Sequence, residues 1–218
     1  MAVEKPLQWT FNRRAAGTDP TASLDRIMPA GVSRQAREFH QQIPGFRSSP
    51  LKRLAKLAAM LGVGGIWVKD EAVRLDLGSF KVLGGSFAIY RYLRQRLGAE
   101  DRELSFAELT SAEVRERLGP ITFATATDGN HGRGVAWAAR ALEQQAVIYV
   151  HARTSQARIR SIAAQGAKVQ VIDGTYDDAV RQITVDAEQN GWQVISDTSW
   201  EGYEEIPTWI MQGYATLF

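Results

Sequence analysis

The chain has no cysteine among its 218 residues. Disulfides and thiolate metal sites are therefore excluded, and a reducing compartment, the cytoplasm, is the expected location. Histidine is scarce, and the three present, His40, His131 and His151, show no metal-ligand spacing. No metal is expected. No apolar run approaches the ~18 residues of a membrane span. Met1 to Asp25 lacks the apolar core of a secretory signal. Net charge is also small, +2, which gives no argument for nucleic acid. Arg91, Arg94 and Arg96 share one stretch without aromatics on the same face and read as a solvated surface. There is no internal repeat and no low-complexity linker. What remains is the composition of a globular protein, 44% hydrophobic and 23% charged.

The stretch Gly78-Ser79-Phe80-Lys81-Val82-Leu83-Gly84-Gly85-Ser86-Phe87 organises the rest. Phe80, Leu83, Phe87, Tyr90, Leu93 and Leu97 fall at helical spacing, with Ser79 as N-cap and Gly98 as the stop. Lys81 then stands in the first turn, where the positive end of the helix dipole repels a cation. Repulsion and burial together favour a neutral amine, the form that Schiff-base chemistry requires. The competing reading is an exposed lysine that tolerates its position.

Residues 1–30 lack periodicity and are read as an extended arm. A helix is expected from Ser33 to Ile43, with Ser33 as its cap, and another from Ser48-Ser49-Pro50 to Gly62. Gly65 to Lys69 reads as a strand and Asp70 to Leu77 as a loop. Ser105-Phe106-Ala107-Glu108 fits a capping box. From Ile121 onward, strands and helices alternate: 121–126, 146–151, 169–172 and 192–195 read as strands, with helices between them and a last helix from Pro207. That order predicts an α/β fold with a parallel sheet. The chain reaches Phe218 inside an apolar helix, so it is expected to be the N-terminal portion of a longer protein.

Ala126-Thr127-Asp128-Gly129-Asn130-His131-Gly132 follows a strand and precedes a helix. Ligands of parallel sheets bind beyond the carboxyl ends of strands, and the open N–H groups of a helix start favour an anion such as a carboxylate. Gly132-Arg133-Gly134 lacks the dinucleotide-fingerprint spacing, so NAD is not supported. Asp128 is a candidate general base or cation partner, and Asn130 a candidate donor to a cofactor oxygen. An Asx-turn with capping residues is the structural alternative. His131 reads as a structural hydrogen-bonding residue.

A Ser-Phe-Lys helix start, followed about fifty positions later by a strand ending in Thr-Asp-Gly-Asn-His-Gly, resembles the fold-type II pyridoxal-phosphate enzymes. These include serine and threonine dehydratases, cysteine synthase and the tryptophan synthase β chain. The dehydratases carry serine where this chain has Asp128. The aspartate variant is similar to the diaminopropionate ammonia-lyase family. So are 66–71 (IWVKDE), 128–139 (DGNHGRGVAWAA), 197–203 (DTSWEGY) and 206–214 (IPTWIMQGY). The resemblance runs from about Phe39 to Phe218.

The resemblance implies a three-layer parallel-sheet α/β fold, incomplete at the C-terminus. It implies residues 1–95 as the start of a large cofactor domain, 96–195 as a small α/β domain, and 196–218 as a return into the large domain. It implies pyridoxal phosphate held on Lys81 as a Schiff base, with Phe80 near its ring and Asn130 at its hydroxyl oxygen. The implied reaction is α,β-elimination of ammonia from D- or L-2,3-diaminopropionate, giving pyruvate and ammonia. Lys81 and Asp128 would act on opposite faces of Cα. Asp128, Gly129 and Asp197 would bind this small amino-acid substrate. For Asp197 a turn residue after a strand is the alternative. The alternatives for the whole chain are a serine/threonine dehydratase-like lyase and a non-catalytic remnant. In these enzymes a second glycine-rich loop holds the phosphate, and no segment here resembles it. A homodimer is the family's usual assembly.

Overall fold

The structure, a computed structural model, describes residues 20–218. The part of the expected extended arm that precedes Pro20 lies outside the described residues. The rest of it is not extended: helix α1 spans Pro20–Ile27. Helix α2 spans Val32–Gln41 and starts at a left-handed Gly31 rather than at Ser33.

The helix expected from Ser48 is replaced by strand β1, Leu51–Arg53, and a shorter helix α3, Ala55–Leu61. Strand β2, Trp67–Lys69, pairs antiparallel with β1, and that pairing draws Leu51 and Arg53 out of helical geometry. Glu71–Asp76 forms a 3₁₀ segment broken at Arg74 and Leu75, not a plain loop.

Helix α4, Lys81–Arg96, opens at Phe80, one residue later than expected. The Ser79 hydroxyl still accepts the Lys81 N–H at 3.3 Å, and Gly98 takes the left-handed stop, φ +60°. Helix α5 is Phe106–Leu109, with both halves of its Ser105/Glu108 capping box formed, and α6 is Ala112–Leu118.

The remainder is β3 (Thr122–Ala126), α7 (Asn130–Ala141), β4 (Gln145–His151), α8 (Gln156–Ala163), β5 (Lys168–Ile172), α9 (Tyr176–Asn190), β6 (Gln193–Val194) and α10 (Glu205–Gly213). The four strands β3 to β6 form one parallel sheet in the order β5-β4-β3-β6.

Alternation along β3 and β4 splits the core in two. Ala124, Ala126, Val147 and Tyr149 face α9 through Ala179 and Ile183. Phe123, Ile148 and Val150 face the opposite way, into a larger core with Val135, Ala138 and Ala139 of α7. Helix α4 lies on α7, and α10 lies on α4. Gly134 makes the first contact close: a Cβ there would stand 2.9 Å from Val82 Cα. Gly213 does the same on the other side, where a Cβ would stand 2.5 Å from the Leu83 carbonyl oxygen. The helix that carries Lys81 is thus wedged between two helices at backbone contact. Among the described residues no helix is long and apolar enough to cross a membrane.

Candidate active site

Lys81, Thr127, Asp128, Gly129, Asn130, His131, Arg158, Tyr176 and Asp197 line one cavity of 300 Å³. It lies beyond the carboxyl ends of β3 and β6, where parallel sheets present their loops. Of the residues singled out from the sequence, Lys81, Asp128, Gly129, Asn130 and Asp197 meet here. Phe80 stands beside them, with its ring edge-on to Tyr214 at 5.0 Å between centroids.

The Lys81 amine is not an isolated cation repelled by a helix start. Its Nζ donates to Asp197 Oδ2 at 2.7 Å and lies 5.8 Å from the Phe80 ring and 5.7 Å from the Tyr214 ring. Asp197 is therefore more than a turn residue. Burial pushes its carboxyl up, and the His131 ring and the Lys81 ammonium outweigh this and hold it below the usual carboxylate range. Its loop is fastened by Tyr203, whose hydroxyl donates to the Val194 carbonyl and accepts the Ser196 N–H, both at 2.9 Å. That fastening accounts for the spacing from Asp197 to Tyr203 in the DTSWEGY stretch.

His131 is buried on the first turn of α7, and its Nε2 bonds the Ile195 carbonyl oxygen at 2.7 Å, as expected of a structural histidine. Burial lowers its pKa, against the pull of Asp197 and the Ile195 carbonyl. Because a carbonyl oxygen only accepts, the Nε2 facing Ile195 carries a proton. Its Nδ1, 3.7 Å from Asp197 Oδ2, has no hydrogen-bond partner.

The Asx-turn is not formed. Thr127, not Asp128, closes the turn: its hydroxyl accepts the N–H of Gly129 at 3.0 Å and of Gly132 at 3.1 Å. The Asp128 side chain is left 66% exposed, with His151 Nε2 3.0 Å from its Oδ1. Gly129 takes φ +155°, and a Cβ on it would meet Arg158 Cδ at 3.3 Å. One arginine, the first turn of α7 and two carboxylates, Asp128 and Asp197, thus line the same cavity.

Five residues at or beside the site were not singled out from the sequence: Thr127, His151, Arg158, Tyr176 and Tyr214. Tyr214 sits within the IPTWIMQGY stretch, so a signal existed. Arg158 and Tyr176 open helices α8 and α9, and nothing local marks them as facing Lys81. The residues present fit the aldehyde end of pyridoxal phosphate. They offer a lysine amine at the cavity, aromatic rings beside it, and two buried polar atoms without partners, Tyr214 Oη and His131 Nδ1.

The family described as "Pyridoxal-phosphate dependent enzyme" matches residues 43–218. The chain is similar to the diaminopropionate ammonia-lyase of Salmonella typhimurium, 45% identical over 210 residues, which is 96% of this chain and 51% of that protein. It is 52% identical to the Escherichia coli K12 diaminopropionate ammonia-lyase over 182 residues, 84% of this chain and 45% of that protein. The crystal structure of the E. coli enzyme in complex with D-serine superposes with a TM-score of 0.82 at 49% identity, covering 88% of this chain and 48% of that one. The chain spans about half the length of the curated relatives it matches.

Proposed function

The chain belongs to the family of pyridoxal-phosphate dependent enzymes, and on that footing we propose that it provides the lysine-bearing part of a diaminopropionate ammonia-lyase site. The carrying observation is the placement of Lys81, paired with Asp197, in one cavity with Asp128. Identity of 45–52% to enzymes of that name supports the substrate. The aspartate at 128, where dehydratases carry serine, argues against a dehydratase. In the reaction, one water is consumed and 2,3-diaminopropionate yields pyruvate and two ammonia.

Lys81 would hold pyridoxal phosphate as a Schiff base, with Phe80 and Asn130 contacting its ring and hydroxyl oxygen. When bound, the cofactor supplies a sink for the electron pair left on Cα after deprotonation. The chain's own residues do the rest. Lys81 Nζ, once free, accepts the Cα proton on one face, and an Asp128 carboxylate oxygen accepts it on the other. Asp197 keeps the lysine amine in place and attracts a substrate ammonium. The Gly129 turn receives the substrate carboxylate.

We further read 1–95 as part of a large domain, 96–195 as a small domain that contains the parallel sheet, and 196–218 as returning to the large one. A cytoplasmic homodimer is the proposed setting. Exposed Leu51, Met60, Leu61 and Trp67 offer apolar surface that an assembly would cover.

Addition of pyridoxal phosphate followed by borohydride reduction and peptide mapping tests the cofactor assignment. A single adduct on Lys81, absent from Lys81→Ala, is expected; reduction elsewhere or nowhere sinks it. Asp128→Asn in the protein carrying this chain is expected to lower turnover of one enantiomer far more than the other. Equal losses would contradict the two-base reading.

A further inference from the structure

Arg133 lies on the first turn of α7 and outside the residues that line the cavity. Its main-chain N–H donates to the Gly129 carbonyl at 3.0 Å, within the acidic turn. Its side chain reaches the other way, to the segment that leads into Lys81. Nη1 donates to the Leu77 carbonyl at 2.8 Å, and Nη2 to the Asp76 carbonyl at a longer 3.5 Å. One residue therefore bonds both the acidic turn and the approach to the lysine. A cation on the first turn of a helix is repelled by the dipole. Bonds from the guanidinium to carbonyls outside α7 offset that repulsion.

The segment that Arg133 bonds is strained. Leu75 and Asp76 take φ +47° and +57°, left-handed backbone that side chains other than glycine adopt at a cost. Such a conformation persists only where its surroundings hold it. Upstream, Arg74 is buried and anchored. Its guanidinium donates to both Glu71 carboxylate oxygens, at 2.8 and 2.9 Å, and to the Arg47 carbonyl at 2.6 Å. The Leu77 N–H returns to the Arg74 carbonyl at 2.9 Å. Downstream, among the described residues, Arg133 is the side chain of another element that bonds 76–77. Its neighbour Gly134 lets α7 come so close that a Cβ there would stand 2.9 Å from Val82 N. That contact stops α4 from moving nearer and does nothing to stop it moving away. A charge-assisted hydrogen bond supplies the missing restraint.

We propose that Arg133 is a positioning residue for Lys81: it ties the strained 76–77 backbone to α7, and so fixes the start of the lysine helix against the turn that carries Asp128 and Asn130. This rests on the reading of Lys81 as the cofactor lysine. Arg133 itself lies outside the cavity and moves no proton. It acts through the backbone, by setting how far the lysine amine stands from the acidic turn. Lys81 serves both substrate enantiomers, so a looser helix start acts on kcat for both rather than on KM.

The test uses the protein carrying this chain and two variants. Arg133→Met keeps a stem without donors, and Arg133→Lys keeps one donor head. In the cofactor-free protein, amide hydrogen exchange is expected to quicken roughly tenfold over residues 77–83 of Arg133→Met and to stay unchanged in β3 to β5. Unchanged exchange over 77–83 overturns the proposal. So does a rise that is equal throughout the sheet, or a variant that fails to fold, because Arg133 then supports the whole domain. With pyridoxal phosphate bound, Arg133→Met is expected to lower kcat roughly tenfold on both enantiomers of 2,3-diaminopropionate, with KM little changed. Arg133→Lys is expected to recover part of that loss, since a single donor, Nη1, makes the short bond. A loss confined to KM, or no recovery in Arg133→Lys, also overturns the proposal. Borohydride trapping of pyridoxal phosphate in the unsubstituted protein separates the two readings. Trapping away from Lys81 defeats the cofactor-lysine reading, and this inference with it. Trapping on Lys81 with unaltered exchange in Arg133→Met defeats this inference alone.

Discussion

Lys81 and Asp197 stand on one side of the cavity with side chains 32% and 21% exposed, whereas Asp128 on the other is 66% exposed. The first side is built from long-range packing. Lys81 rides on a helix wedged between α7 and α10, and Asp197 sits in a loop tied by Tyr203. Behind α4, His40 is fully buried, with its ring nitrogens at the Leu83 carbonyl, Ser86 and Thr216. The second side is built from strand register and one turn, closed by Thr127. The difference suits the two tasks proposed for these residues. A group that must hold a bound cofactor gains from a rigid, half-buried seat. A group that must exchange protons with an arriving substrate gains from exposure.

The contrast can be broken most severely at Gly134. Gly134→Val places side-chain carbon against Val82 backbone, which cannot swing away. A loss of about 3 kcal/mol is expected in chemical denaturation, with Lys81 modification by pyridoxal phosphate lost in parallel. Unchanged stability would show that the wedge is loose. Next is Asp197→Ala, which leaves a half-buried lysine amine without its partner. About 2 kcal/mol is expected, little altered by salt.

Acid sharpens the comparison further. Burial, against the Leu83 carbonyl and with help from Arg74, lowers His40 to about 3 from an ordinary 6.5. The unfolded chain therefore binds the extra proton first, and stability is full above pH 6.5 and falls as pH drops toward 3. The slope from this one group is about 1.4 kcal/mol per pH unit. His131 acts in the same direction, because burial lowers it too. His40→Gln should flatten the slope measured by denaturation at stepped pH, and an unchanged slope would exonerate His40. The smallest effect is expected from Asp128→Ala on the open side, less than about 0.5 kcal/mol. A larger loss there would mean that the two sides are structurally alike.

The parallel part of the fold was legible because its signals are local. The short β-prone runs read at 121–126 and 146–151, the cap at Ser155, and Gly191 ending α9 at φ +67° each act within a few residues. Sequence reasoning failed where pairing at a distance overrode local preference. Leu51, Leu54, Leu57 and Leu61 have helical spacing, yet β1 pairs with β2 across a stretch of chain, from Arg53 opposite Trp67 to Leu51 opposite Lys69, and the helix begins only at Ala55. Lys81 and Asp128 could be singled out from their motifs. The nearness of His151 to Asp128 could not, because a histidine at a strand end looks the same whether or not a carboxylate stands beside it.

By itself the sequence determined the α/β class, the lysine at a helix start and the acidic turn after a strand. Helix periodicity, caps and strand alternation act over a few residues, and the family motifs are contiguous. Only the tertiary structure decided that Asp197, 116 positions from Lys81, holds its amine, that Thr127 rather than Asp128 closes the turn, and that His151 comes within 3.0 Å of Asp128. Those are distances between elements. They are set by glycine-sized gaps between helices and by the register of two parallel strands, which no local pattern encodes.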